Sequence, residues 1–140
     1  AGTQPRDFAA ARWFDLAQRD FAARLKWTVT PTFAGANHAP VVTVTSGLNI
    51  SATPGATVRL TATATDPDRN ALTIRWWQYT DADTYPGTIT FSNPAALTTT
   101  FQVPAEAGAG QTIHALIQVT DSGSSPLTSF QRVVVTVKAK

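Results

Sequence analysis

Two periodicities divide the chain. Before residue 34 apolar residues return every third or fourth position, and after Pro40 they return every second. From Arg6 to Lys26 the sequence has no Gly or Pro and sets Phe14, Ala17, Phe21 and Leu25 at i, i+3/i+4 spacing. That spacing predicts an amphipathic helix. Trp13, Leu16 and Ala10 widen its apolar stripe. A lone helix of this length is marginal in water unless its stripe is covered, so it expects a partner surface. Trp27-Thr28-Val29-Thr30 reads as extended chain ended by Pro31, and Ala34-Gly35-Ala36-Asn37-His38-Ala39-Pro40 as a linker. The expected organisation is therefore a helix and linker at 1–36 and a separate module at 37–140.

The module reads as all-β. Short alternating runs lie between turn residues at Val41 to Thr45, Val58 to Thr65, Leu72 to Tyr79, Thr88 to Phe91, Leu97 to Val103, Ile113 to Thr120 and Phe130 to Val137. The turns fall at Thr53-Pro54-Gly55, Asp66-Pro67-Asp68, Asn93-Pro94, Gly108-Ala109-Gly110 and Asp121-Ser122-Gly123. About seven strands in roughly 100 residues predict an Ig-like antiparallel β-sandwich preceded by one α-helix. Trp76, midway along the third of these runs, suits its core, and period two then places Trp77 on the opposite face.

Composition narrows the chemistry. With 43% hydrophobic and 14% charged residues the chain can bury a core and is too apolar for disorder. A formal charge of +2 lacks the dense basic footprint of a nucleic-acid binder. The absence of Cys and Met removes disulfides, thiolate chemistry and zinc-thiolate sites. No run of apolar residues is long enough for a membrane span and no signal peptide opens the chain, so a soluble protein with any export signal already removed is expected.

Catalytic patterns are missing. His38 and His114 are the sole histidines and have no Glu at metal spacing, no Gly-x-Ser-x-Gly occurs, and no paired carboxylates are set for glycoside hydrolysis. A non-enzymatic chain without cofactor is expected. Asp66, Asp68 and Asn70 alternate as oxygen ligands do in calcium loops, with Asp121 as a further ligand should its turn lie nearby. Against calcium stand the missing Gly and distal Glu, and the habit of Asp and Asn of bonding their own turn backbone. No metal is favoured.

The aromatics are more informative. If Trp76 points inward, Arg75, Trp77 and Tyr79 face outward. A row of Trp and Tyr can stack on sugar rings while Arg75, Gln78 and acidic neighbours bond the ring edge. Trp77, Tyr79, Tyr85, Arg75, Gln78 and Asp83 are thus candidate ligand-binding residues. The competing reading packs Trp77 under the N-terminal helix or against a neighbouring domain.

The run from Ala64 to Tyr79, with Asp66-Pro67-Asp68-Arg69-Asn70 and Trp76-Trp77-Gln78-Tyr79, resembles a hairpin of PKD-like and related bacterial Ig-like modules. Together with Asn37-His38-Ala39-Pro40, Thr84-Tyr85-Pro86-Gly87, His114 to Asp121 and Pro126 to Val133, it is similar to the C-terminal module of secreted bacterial cellulose-binding proteins that carry an N-terminal nucleoside-hydrolase-like domain. Asp20 to Trp27 resembles the last helix of that preceding domain. Arg69-Asn70 replaces a Gly-Asp common in the family, and Ser129-Phe130 replaces an Arg-Tyr. The resemblance implies a secreted or periplasmic accessory module that associates with polysaccharide and adjoins a hydrolase-like domain in cis. It carries over no catalytic residue. The alternative is a structural spacer with no ligand of its own.

Overall fold

A computed structural model describes residues 8–140. Helix α1 (Phe8–Val29) precedes seven strands among these residues: β1 (Val41–Val44), β2 (Asn49–Ala52), β3 (Thr57–Thr65), β4 (Leu72–Gln78), β5 (Thr98–Gln102), β6 (Thr112–Asp121) and β7 (Thr128–Val137). Two sheets, ordered β1-β3-β5 and β2-β7-β6-β4, form the sandwich.

Period-two alternation builds it. Val58, Leu60 and Ala62 of β3 face Ile113, Ala115, Ile117 and Val119 of β6 and Val133, Val135 and Val137 of β7 in one core. Trp76 is only 2% exposed. Its indole N–H donates to the Ala96 carbonyl at 2.9 Å and its backbone N–H to Pro94 at 2.7 Å. The segment after residue 91 therefore covers the free edge of β4, which would otherwise be open to pairing. At another edge the Gln131 side chain accepts from the Val44 N–H at 2.6 Å, tying β1 to β7 across the layers.

Several expectations are corrected. Thr88 to Phe91 is not a strand, because the Gln78 side chain takes the Ile89 N–H at 2.7 Å in place of a ladder partner. Asn49–Ala52 is a strand that its short, weakly alternating sequence hid, and it runs parallel to β7, so the sandwich is antiparallel in every pair but one. Trp27, Thr28 and Val29 continue α1 instead of forming extended chain. Arg6 lies outside the described residues.

The helix also turns the unexpected face inward. Phe14, Phe21 and Leu25, the predicted stripe, are exposed, while Trp13, Leu16, Ala23 and Trp27 are wholly or partly buried. The larger, flatter indoles supply the better match to an aromatic sheet face.

Candidate functional site

The outer face of β4 and β6 meets α1. Trp77 and Tyr79 point away from the core as period two requires, and Trp13 sits over them. Its ring centroid is 6.1 Å from Trp77, 6.2 Å from Tyr79 and 5.2 Å from Phe130, the last two edge-on. Leu116, the cross-strand partner of Trp77, is buried although it breaks the alternation of β6. The helix thus provides a second, smaller apolar layer. Arg12 closes its N-terminal side with an ion pair to Asp81 at 3.1 Å.

Beside this layer remains a groove of about 250 Å³ lined by Arg12, Trp13, Leu16, Arg75, Trp77 and Gln118. Arg75 and Gln118 are directly paired across β4 and β6. The Trp77 indole N–H is buried without a hydrogen-bond partner.

The remaining expected ligand residues go elsewhere. Tyr85 belongs to the core, and its hydroxyl donates to Glu106 at 2.7 Å. That bond raises the Tyr85 pKa and lowers that of Glu106. Gln78 donates to Asp83 at 2.6 Å and to the Gly87 carbonyl at 3.0 Å, while Asp83 accepts the His114 backbone N–H at 2.6 Å. These three side chains hold the loop after β4, and their polar atoms are occupied by the protein itself. His114 lies under the same loop, where burial lowers its pKa. Arg75 and Trp77 alone of the expected set border the groove; Tyr79 backs it through Trp13.

The other end of α1 is pinned by polar contacts. Trp27 donates to the Asn37 carbonyl at 2.8 Å and stacks on His38 at 5.2 Å; Phe33 stacks on His38 from 3.7 Å. His38 Nδ1 lies 3.1 Å from Asp68, which also accepts the His38 backbone N–H at 2.6 Å. Asn37 joins the two turns. It accepts from Asn70 at 2.9 Å and donates to Asp121 at 3.0 Å. A Cβ at Gly123 would collide with the Asn37 carboxamide, so that turn needs glycine for close approach.

Asp121 does lie near the Asp66 turn, as the sequence suggested. Its Oδ1 is taken up by the Gly123 and Leu127 N–H groups, and Asp66 Oδ1 by those of Asp68 and Asn70, both at 2.9 Å. Asp66 Oδ2 is buried without a partner. Among the described residues no group of three or more His, Cys, Asp or Glu is arranged to hold a metal. The turn carries one strained residue. Arg69 has φ 62°, a left-handed conformation in which glycine avoids the Cβ clash. Arg69→Gly is expected to stabilise the protein by about 0.5–1 kcal/mol, read as a melting-temperature rise of roughly 1–4 °C. A fall in melting temperature would show that the arginine side chain outweighs its backbone cost.

A profile of the family described as the C-terminal domain of the cellulose-binding protein Sde0182 matches residues 57–137. A search of curated proteins gave no match. Among solved structures, a nucleoside hydrolase-related protein from Saccharophagus degradans, described as associated with carbohydrate metabolism, superposes with TM-score 0.85 and 34% identity. The match covers 91% of this chain and 32% of that one, so the chain spans about a third of that relative. Murine CRIg superposes at TM-score 0.40 and 12% identity over 72% of this chain and 98% of its own, too remote to bear on either fold or function. With the profile matched over more than half its length, and with the Saccharophagus relative a third identical to it, this chain belongs to the family of Sde0182-type cellulose-binding protein C-terminal domains.

Proposed function

We propose that the chain is a non-catalytic, secreted accessory module that holds a larger hydrolase-related protein on polysaccharide, cellulose first. The groove between α1 and the β4–β6 face carries this reading. Two indoles there provide apolar ring faces, and Arg75 and Gln118 provide planar hydrogen-bonding edges beside them. That combination suits a sugar, whose C–H faces stack while its hydroxyls bond at the rim. A groove of about 250 Å³ matches one sugar unit better than a long chain. In support of a non-catalytic role, Glu106 is committed to Tyr85, and His38 to Asp68.

Affinity is expected to be weak. Two rings each covering on the order of 100 Å² at about 25 cal/mol/Å² contribute roughly 5 kcal/mol gross, and association costs of about 4–15 kcal/mol offset most of it. Rim hydrogen bonds add a few kcal/mol and bring the net to roughly −4 kcal/mol at best, a Kd of about a millimolar. An insoluble polymer raises retention by offering many adjacent sites.

Depletion from solution by microcrystalline cellulose, with albumin as the sticking control, tests this. Arg75→Ala with Gln118→Ala is expected to cut retention about fivefold and leave melting nearly unchanged, since Arg75 is exposed and Gln118 half-buried. Equal depletion of the two proteins would remove the groove from the site. No depletion of either would favour the second reading, a structural spacer, for which the packing of Trp13 over the Trp77–Tyr79 stripe speaks.

A further inference from the structure

Helix α1 has two apolar faces. At 100° per residue, Arg12, Trp13, Leu16, Ala23 and Trp27 cluster on one side, the side seated on the sandwich. Phe14, Phe21, Leu25 and Val29 cluster on the opposite side, all within an arc of roughly 80°. Nothing among the described residues covers them: they are 63%, 60%, 53% and 80% exposed. Two ion pairs, Asp15–Arg19 at 2.9 Å and Asp20–Arg24 at 2.7 Å, run along the two flanks between the faces. Each is an i,i+4 pair that neutralises itself, and exposed Lys26 adds one positive charge to the Asp15–Arg19 flank, so the outer face is an uncharged strip with one basic border.

We propose that this outer face is the seat of a further domain of the same polypeptide, a hydrolase-related body that clamps α1 between itself and the sandwich. The size of the strip decides between occupants. Four side chains at these exposures present on the order of 450 Å². A stable dimer of free chains needs about 800 Å² from each partner, which a second copy would not find here. Domains joined in one chain form interfaces of about 600–1,500 Å² in total, which two strips of this size reach, because the tether supplies an effective concentration in the millimolar range.

The Saccharophagus relative is the independent observation. Some two-thirds of that polypeptide lies beyond the match. The matched 91% of this chain is more than residues 37–140 amount to, so the match runs into the helical segment. The helix-and-sandwich unit therefore occurs there beside about twice its own length of further protein. This inference is separate from the polysaccharide reading and stands or falls without it.

Hydroxyl-radical labelling of the 140-residue chain and of the whole polypeptide that its gene encodes tests the seat. In the whole polypeptide Phe14, Phe21, Leu25 and Val29 are expected to be labelled at least fivefold more slowly, with Trp27 and Trp77 unchanged. Phe21→Asp with Leu25→Asp should then restore the labelling of Phe14 and Val29 and lengthen the particle in small-angle scattering, while the 140-residue chain carrying the same pair melts within about 2 °C of the parent. Equal labelling in the short and long proteins overturns the proposal, as does an encoded polypeptide with no further domain. A concentration-dependent dimer of the 140-residue chain that protects the same four residues overturns it in favour of a second copy.

Discussion

Trp76→Ala is expected to lower the melting temperature by about 10–15 °C. The indole is one of the largest fully buried side chains, and its removal takes away packing from both sheets at their centre. Truncating a buried Trp to Ala costs about 3–5 kcal/mol through lost transfer energy and the cavity left behind. The Ala96 carbonyl also loses its donor, which weakens the segment that covers the β4 edge. At roughly 2–4 °C per kcal/mol for a chain of this size, the shift follows, and it is a large share of a total stability of about 5–15 kcal/mol. Trp76→Phe keeps a ring and should lose about half as much. Calorimetry of the three proteins checks this, and a fall below about 4 °C for the alanine variant would mean that the core is not centred on this residue.

Trp13→Ala is expected to free α1 while leaving the sandwich folded. Trp13 contacts Trp77, Tyr79 and Phe130 together, and aromatic pairs contribute about 0.5–1.5 kcal/mol each beyond burial. Because the ring is half-buried, the cost is about 2–3 kcal/mol. An undocked helix of 22 residues with no acidic residue in its first turn is marginal in water. Ellipticity at 222 nm should drop, and trypsin should cut at Arg19, Arg24 and Lys26 several times faster. The cooperative melt of the sandwich should persist a few degrees lower, since the Trp27 and Asn37 contacts lie at the other end of the helix. Unchanged helicity and unchanged cleavage would show that those contacts hold α1 by themselves.

Both variants probe features with different visibility in the sequence. The burial of Trp76 was legible because strand side chains alternate strictly, so Leu72, Ile74 and Trp76 declare one face and Arg75 and Trp77 the other. The same rule exposed β3, through Val58, Leu60 and Ala62, β6, through Ile113, Ala115, Ile117 and Val119, and β7, through Val133, Val135 and Val137. The Asp66 turn was legible as well, since Asp and Asn bond nearby backbone wherever they occur, and its oxygens do accept N–H groups two and four residues on.

Other features depended on partners distant in sequence. Strand β2 is short and is defined by its register against β7, some 85 residues later, and Thr88 to Phe91 lost its strand to one side-chain bond from Gln78. Tyr85 looked like an exposed ring in a polar loop. Its burial follows from how that loop folds onto Glu106 and Ala107, a long-range event that no local period records.

The sequence by itself determined the sandwich, the facing of Trp76 and Trp77, and the existence of an amphipathic helix, because each follows from local periodicity. Only the tertiary structure decided which of the two apolar faces of α1 meets the sheet. Period 3.6 marks both faces alike, and the choice turns on the fit of Trp13 into Trp77, Tyr79 and Phe130, groups more than 60 residues away along the chain. That one choice converts the expected sugar-binding stripe into a covered layer with a small groove at its margin, and it leaves Phe14, Phe21, Leu25 and Val29 facing outward.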